Sequence, residues 1–146
     1  MAATVRAFSI AYLAALAAII AIAWAASAFF GFELPGSAMG VVPFVVGVQF
    51  AAQAYAKRQG DAPSGGYAWK AAFGMTAATF AMSFVFIAIG FAAIGPTELL
   101  GPIYTEPSAS GFLMIAAGVF IFYALMARLS FPWLVKSSLK AMQRQK

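Results

Sequence analysis

Lys57-Arg58-Gln59-Gly60-Asp61-Ala62-Pro63-Ser64-Gly65-Gly66-Tyr67-Ala68-Trp69-Lys70 is the longest basic interruption in an otherwise apolar chain. One apolar run ends directly before it and another begins directly after it. Two more lie further out, so the stretch joins the middle two of four hydrophobic segments, and its charge orients them all. Gly60, Pro63, Gly65 and Gly66 are turn formers, so it reads as an irregular loop. Tyr67 and Trp69 stand where aromatic residues gather at a membrane surface.

The composition agrees with that reading. Of 146 residues, 64% are hydrophobic and only 9% are charged, where a soluble domain carries about a quarter. So much apolar surface cannot be hidden in a chain of this length, and lipid is the expected solvent. There is no cysteine and no histidine, which removes disulfides, thiol chemistry and the commonest general base. The net charge of +5 comes from residues flanking apolar runs, so anionic headgroups are the expected partner and nucleic acid is not.

Working outward, the segment at 37–56 carries a narrow stripe of small residues: Gly36, Gly40, Pro43, Gly47, Ala51 and Ala54. Gly36 and Gly40 have GxxxG spacing, a mark of close helix contact in lipid. Pro43 leaves the Met39 carbonyl without its helical donor and predicts a kink. Gln49 and Gln53 lie one turn apart on the opposite face, and such amides in hydrocarbon are expected to face inward or an interface. On the other side of the loop, 71–94 carries small residues at Gly74, Ala77, Ala78, Ala81, Ala88 and Ala92. Phe80, Phe84, Ile87 and Phe91 form a bulky stripe, and Thr76, Thr79, Ser83 and Gly90 a weakly polar one. A short connection favours antiparallel neighbours, so Gln49 and Gln53 are expected to hydrogen-bond Thr76 and Thr79 across a hairpin.

The outer segments are 5–30 and 111–131. The first has an alanine seam at Ala7, Ala11, Ala14, Ala18, Ala21, Ala25 and Ala28, and close helix packing is expected there. Ala26-Ser27-Ala28 resembles a signal cleavage site, but the apolar run exceeds a usual signal core, so it reads as an uncleaved helix. Near the end of the last segment, Arg128 is placed to snorkel to headgroups. Ser130 and Pro132 read as the cap and first-turn proline of a new helix. That tail, 132–146, is amphipathic: Lys136, Lys140 and Arg144 share one face, and Val135, Leu139 and Met142 another. It is expected to lie in the interface or to extend the last helix.

Charge sorts the segments. With four spans, all nine basic residues fall on one side: Arg6, the central loop, and the chain from Arg128 onward. Three of the four acids, Glu33, Glu98 and Glu106, fall on the other. The positive-inside rule then puts both termini and the central loop in the cytoplasm of a bacterial-type inner membrane.

A search for chemistry yields little. No acid lies within a span, so a proton-coupled carrier is disfavoured. Paired carboxylates, a nucleophile with its base and a metal-ligand cluster are all missing, and no enzymatic activity or cofactor is expected. Lys57, Arg58 and Lys70 can contact phosphate or an anionic lipid, but the loop lacks Walker spacing and topogenic charge explains them. Bound lipid is expected.

The central quarter of the chain, from Val42-Pro43-Phe44 to Gly74, resembles a family of small four-span bacterial inner-membrane proteins. The matching features are the glycine-bearing second segment with a glutamine near its inner end, Tyr55, Lys57-Arg58, Gly60, Ala62-Pro63 and Trp69. Relatives tend to carry a histidine and an arginine where this chain has Gln59 and Asp61, and an acid in place of Tyr67-Ala68. Those departures speak against catalysis in this loop. The resemblance implies a topology and no mechanism.

The expected architecture is one all-α, polytopic domain over 1–146 with four transmembrane helices and a basic tail. The expected role is an accessory or structural subunit packed against other membrane subunits or itself. The alternative is a protomer of a homo-oligomeric channel or small-solute transporter, lined by Gln49, Gln53, Thr76, Thr79 and Ser83.

Overall fold

In the computed structural model the described residues, 1–31, 36–94 and 109–144, form four α-helices. The side chains of 36–39, 90, 91, 93, 94, 109, 110 and 112 lie outside the description, as do Glu33, Glu98 and Glu106 of the connecting segments. The helices are α1 (Ala2–Phe30), α2 (Gly36–Gln59), α3 (Gly65–Ile94) and α4 (Ala109–Gln143). Three of them contain windows long and apolar enough to cross a membrane, at Ala2–Phe30, Gly65–Ile89 and Leu113–Gln143, with mean hydropathies of 2.3, 1.9 and 1.9. In α2, Gln49, Gln53, Lys57 and Arg58 lower the apolar content.

Local chemistry sets the helix ends. Helix α1 is alanine-rich and free of glycine and proline. It stops at Gly31, whose left-handed φ of 62° turns its N–H onto the Ser27 carbonyl at 3.1 Å. Helix α2 ends the same way at Gly60 (φ 73°), whose N–H reaches the Ala56 carbonyl at 3.0 Å. Ser64 begins α3 by accepting the Tyr67 N–H on its Oγ at 3.3 Å.

The central stretch is therefore mostly helical, contrary to the expected irregular loop. Lys57 and Arg58 close α2, while Tyr67, Trp69 and Lys70 open α3. Gly65 and Gly66 sit in the first turn, where the Ser64 cap and the burial of Ala68 hold the backbone. The connection shrinks to 60–64.

A second correction concerns the tail. Helix α4 runs through Pro132 without a restart. Ser130 does not cap a new helix; its hydroxyl donates to the Met126 carbonyl in the turn before. Phe131 and Val135 on either side of the proline are wholly buried, and that packing outweighs the backbone bond proline removes. Phe131 packs on Tyr55, yet Met142 lines a hollow with Gln53 and Lys57. The last turns of α4 therefore lie across α2. Their apolar side, Val135, Leu139 and Met142, faces the core, while Lys136, Lys140 and Arg144 are exposed.

Around the bundle, α1 packs on α2, α2 on α4, α4 on α3, and α3 on α1. Helices α2 and α3 are diagonal, so the expected α2–α3 hairpin does not form. Five linker residues reach about 16 Å, and the diagonal of a bundle with helices about 8–10 Å apart is shorter than that. Loop length thus permits both arrangements, and side-chain packing selects this one.

The core fills the half of the bundle nearest the basic residues. Tyr55, Tyr67 and Phe131 meet there from α2, α3 and α4, with ring centroids 4.9, 5.7 and 6.5 Å apart. From α1, Thr4 ties in through a 2.8 Å hydrogen bond between its Oγ1 and the Tyr67 hydroxyl. One layer further on, Phe8 packs edge-on against Phe44, and Phe44 against Tyr123, at 5.6 and 4.5 Å. In the far half, large apolar side chains such as Trp24, Phe30, Phe84, Ile89, Leu113 and Ile115 are exposed. An apolar surface of that extent needs lipid or protein against it. Tyr67→Phe removes one hydroxyl bond and should cost about 0.6 kcal/mol, the mean for such bonds between membrane helices. Reversible unfolding in mixed micelles measures it.

Candidate functional site

The layer above the core opens into a cleft of about 250 Å³ that includes Tyr12, Gly40, Thr79, Ser83, Val119 and Tyr123. Phe80 and Phe84 complete its wall. All four helices contribute. Tyr12 and Ser83 face the same cleft from α1 and α3. The Tyr123 hydroxyl lies against Gly40, where a Cβ would sit 3.0 Å from it. That approach exists because position 40 lacks a side chain. The Thr79 hydroxyl is taken by its own helix, donating to the Met75 carbonyl at 3.1 Å.

One turn nearer the basic end, Thr76 is fully buried and its Oγ1 has no hydrogen-bond partner. The expected bonds from Gln49 and Gln53 are not made. Gln49 is exposed on the outer side of α2, and Gln53 lines a groove shared with α1. The reason is the diagonal placement of α2 and α3, which meet through the long rings of Tyr55 and Tyr67 and not along adjoining faces.

Of the predicted packing positions, Ala51 is wholly buried. Gly47 meets the Phe8 ring, and Gly74 meets Val5 and Met1. Ala78 is half-buried against the core, while Ala81 is exposed. The surroundings of Gly36 lie outside the described residues. On α1 the seam divides. Ala11 is buried, Ala7 and Ala25 are partly covered, and Ala14, Ala18, Ala21 and Ala28 are exposed.

The predicted basic residues gather at one end. Lys57, Arg58, Lys70, Lys136, Lys140 and Arg144 are exposed. Arg128 differs: its guanidinium lies 5.5 Å over the Trp69 ring and 3.9 Å from where a Gly65 Cβ would be. Its Nε is buried and unpartnered. This is a partly sheltered cation against the start of α3, rather than a freely snorkelling one.

Tyr12 and Tyr123 were missed in the sequence. Each sits among apolar neighbours in its own helix, and only the packing of α1, α3 and α4 brings their hydroxyls to one cleft. The one available signal is that a tyrosine deep in a long apolar run needs a partner for its hydroxyl. The cleft offers phenol and aliphatic hydroxyls with no ionisable acid or base of ordinary strength. Such groups are suited to hydrogen-bonding water or a neutral polar ligand. Among the described residues no group of three or more acidic side chains could hold a metal ion.

Comparison with protein families, with curated proteins and with solved structures finds no match for this chain.

Proposed function

We propose that this chain is a small integral protein of a bacterial inner membrane, without enzymatic activity, that serves as an accessory or structural subunit of a larger membrane assembly. In this reading α2 is the fourth span, because it packs between neighbours that are themselves apolar enough to cross. Both termini are cytoplasmic, following the gathering of basic residues at one end. The resemblance of the central loop to four-span inner-membrane proteins supports the same topology.

One observation carries the subunit role. The alanine seam of α1 stays open in the far half, with Ala18, Ala21 and Ala28 exposed. In lipid, apolarity alone drives no helix association; small residues do, by letting backbones approach. A face of small residues left exposed among the described residues is suited to a helix from another chain.

The test is native mass spectrometry of the tagged protein, extracted from its own membrane in mild detergent. A stoichiometric larger partner is expected. The double substitution Ala18→Leu and Ala21→Leu should release it while the chain keeps its helix content, since neither side chain is buried. A bare monomer overturns the subunit role. A pure homo-oligomer favours the channel or carrier instead, with the exposed Gln49 placed to line a shared path.

A further inference from the structure

Between α1 and α2 runs a groove of about 540 Å³. Its walls include Ala11, Ala14, Val46 and Phe50, and its basic end carries Gln53 and Lys57. The alanines make it concave: larger side chains at those positions would fill it. From Val46 to Lys57 the rise of α2 is about 16 Å, close to the thickness of one leaflet's hydrocarbon, about 15 Å. At the basic end the polar groups have no protein partner among the described residues. Gln53 is half-buried with no hydrogen bond among the described residues, and Lys57 has no ion pair among them. The same two side chains border a second hollow against Ser138, Ala141 and Met142 of the α4 tail. The α4 tail thus borders the mouth of the groove beside Gln53 and Lys57.

We infer that this groove is a binding site for an anionic phospholipid, one acyl chain lying along α1 and α2 and the phosphate set at Lys57 and Gln53. The inference rests on the proposed membrane location. Three features select this occupant together: an apolar channel one leaflet long, an amide and an ammonium at its mouth without partners, and a local surface that is otherwise basic. A zwitterionic lipid would satisfy the channel but bring a second cation to a cationic surface. A neutral helix would leave Lys57 unpaired.

The experiment begins with an alkaline carbonate wash of membranes bearing the full chain. The retained protein is then delipidated in detergent and titrated with phosphatidylglycerol or phosphatidylcholine, bound lipid being read by native mass spectrometry. Phosphatidylglycerol is expected to bind more tightly. Lys57→Gln should weaken it about fivefold, the effect of one basic residue at an anionic surface. Ala14→Phe, which intrudes on the groove from an exposed position, should weaken both lipids. Arg58→Gln, a neighbouring charge outside the groove wall, should weaken phosphatidylglycerol binding less than Lys57→Gln does. Equal binding of the two lipids, or equal losses from Lys57→Gln and Arg58→Gln, overturns the site and leaves the membrane location standing. Release of the chain by the carbonate wash overturns both.

Discussion

Gly47→Leu is expected to separate α1 from α2 and to be among the most damaging single substitutions in this chain. A Cβ at position 47 would lie 2.7 and 2.8 Å from two ring carbons of Phe8 and 3.3 Å from the Phe8 carbonyl oxygen. The ring cannot swing clear, because Phe8 is wholly buried and packs on Tyr12 and Phe44. The carbonyl is backbone and cannot yield without moving α1. Overpacking a filled core costs about 1–3 kcal/mol, and this case belongs at or above the upper end. The measurement is the unfolding midpoint in mixed micelles, followed by tryptophan fluorescence. Gly118→Leu is the matched control. A Cβ there meets nothing within 4 Å, and replacing a mid-helix glycine adds helix propensity. That variant should be neutral or slightly stabilising. Equal losses from both substitutions would show that glycine flexibility, and not the fit to Phe8, is what matters at position 47.

The second large effect is expected at Phe131→Ala. Phe131 is wholly buried, lies edge-on to Tyr55 and stacks near Tyr67. Removing its ring opens a hole where three helices meet. In water the loss would be about 3–5 kcal/mol; for a chain whose unfolded helices stay in lipid, the transfer part falls away and about 2–3 kcal/mol of lost packing remains. The consequence should be local as well as global. Phe131 precedes Pro132, and with its packing gone the proline is free to break α4. The tail that carries Val135, Leu139 and Met142 onto the core should then detach. Limited trypsin digestion reads this directly, through faster cleavage at Lys136 and Lys140. If the variant loses stability with no change in tail cleavage, the tail is held by its own contacts and not through Phe131.

Much of the architecture was legible in the residues. Four apolar stretches bounded by glycine, proline and charge become four helices among the described residues. Gly31 and Gly60 mark helix ends because only a residue without Cβ takes a positive φ at little cost. A Cβ at Gly40, Gly47 or Gly74 would meet a neighbouring side chain, and Ala51 is wholly buried. These features depend on single residues and their near neighbours, so one chain read alone carries them.

Helix content, the segregation of basic residues and the apolar surfaces each follow from local composition and a fixed rise per residue, so a single chain carries them. Which helices touch depends instead on how the four pack. Gln49 faces outward and Thr76 stays unpartnered because α2 and α3 stand diagonally, and a five-residue link reaches either position. Tyr12 and Tyr123 share a cleft with Ser83 although the chain separates them widely, and Pro132 passes through α4 because Phe131 and Val135 anchor both sides. In lipid the choice of neighbour rests on small differences in side-chain fit between faces of similar apolarity, and those differences exist only once the helices are assembled.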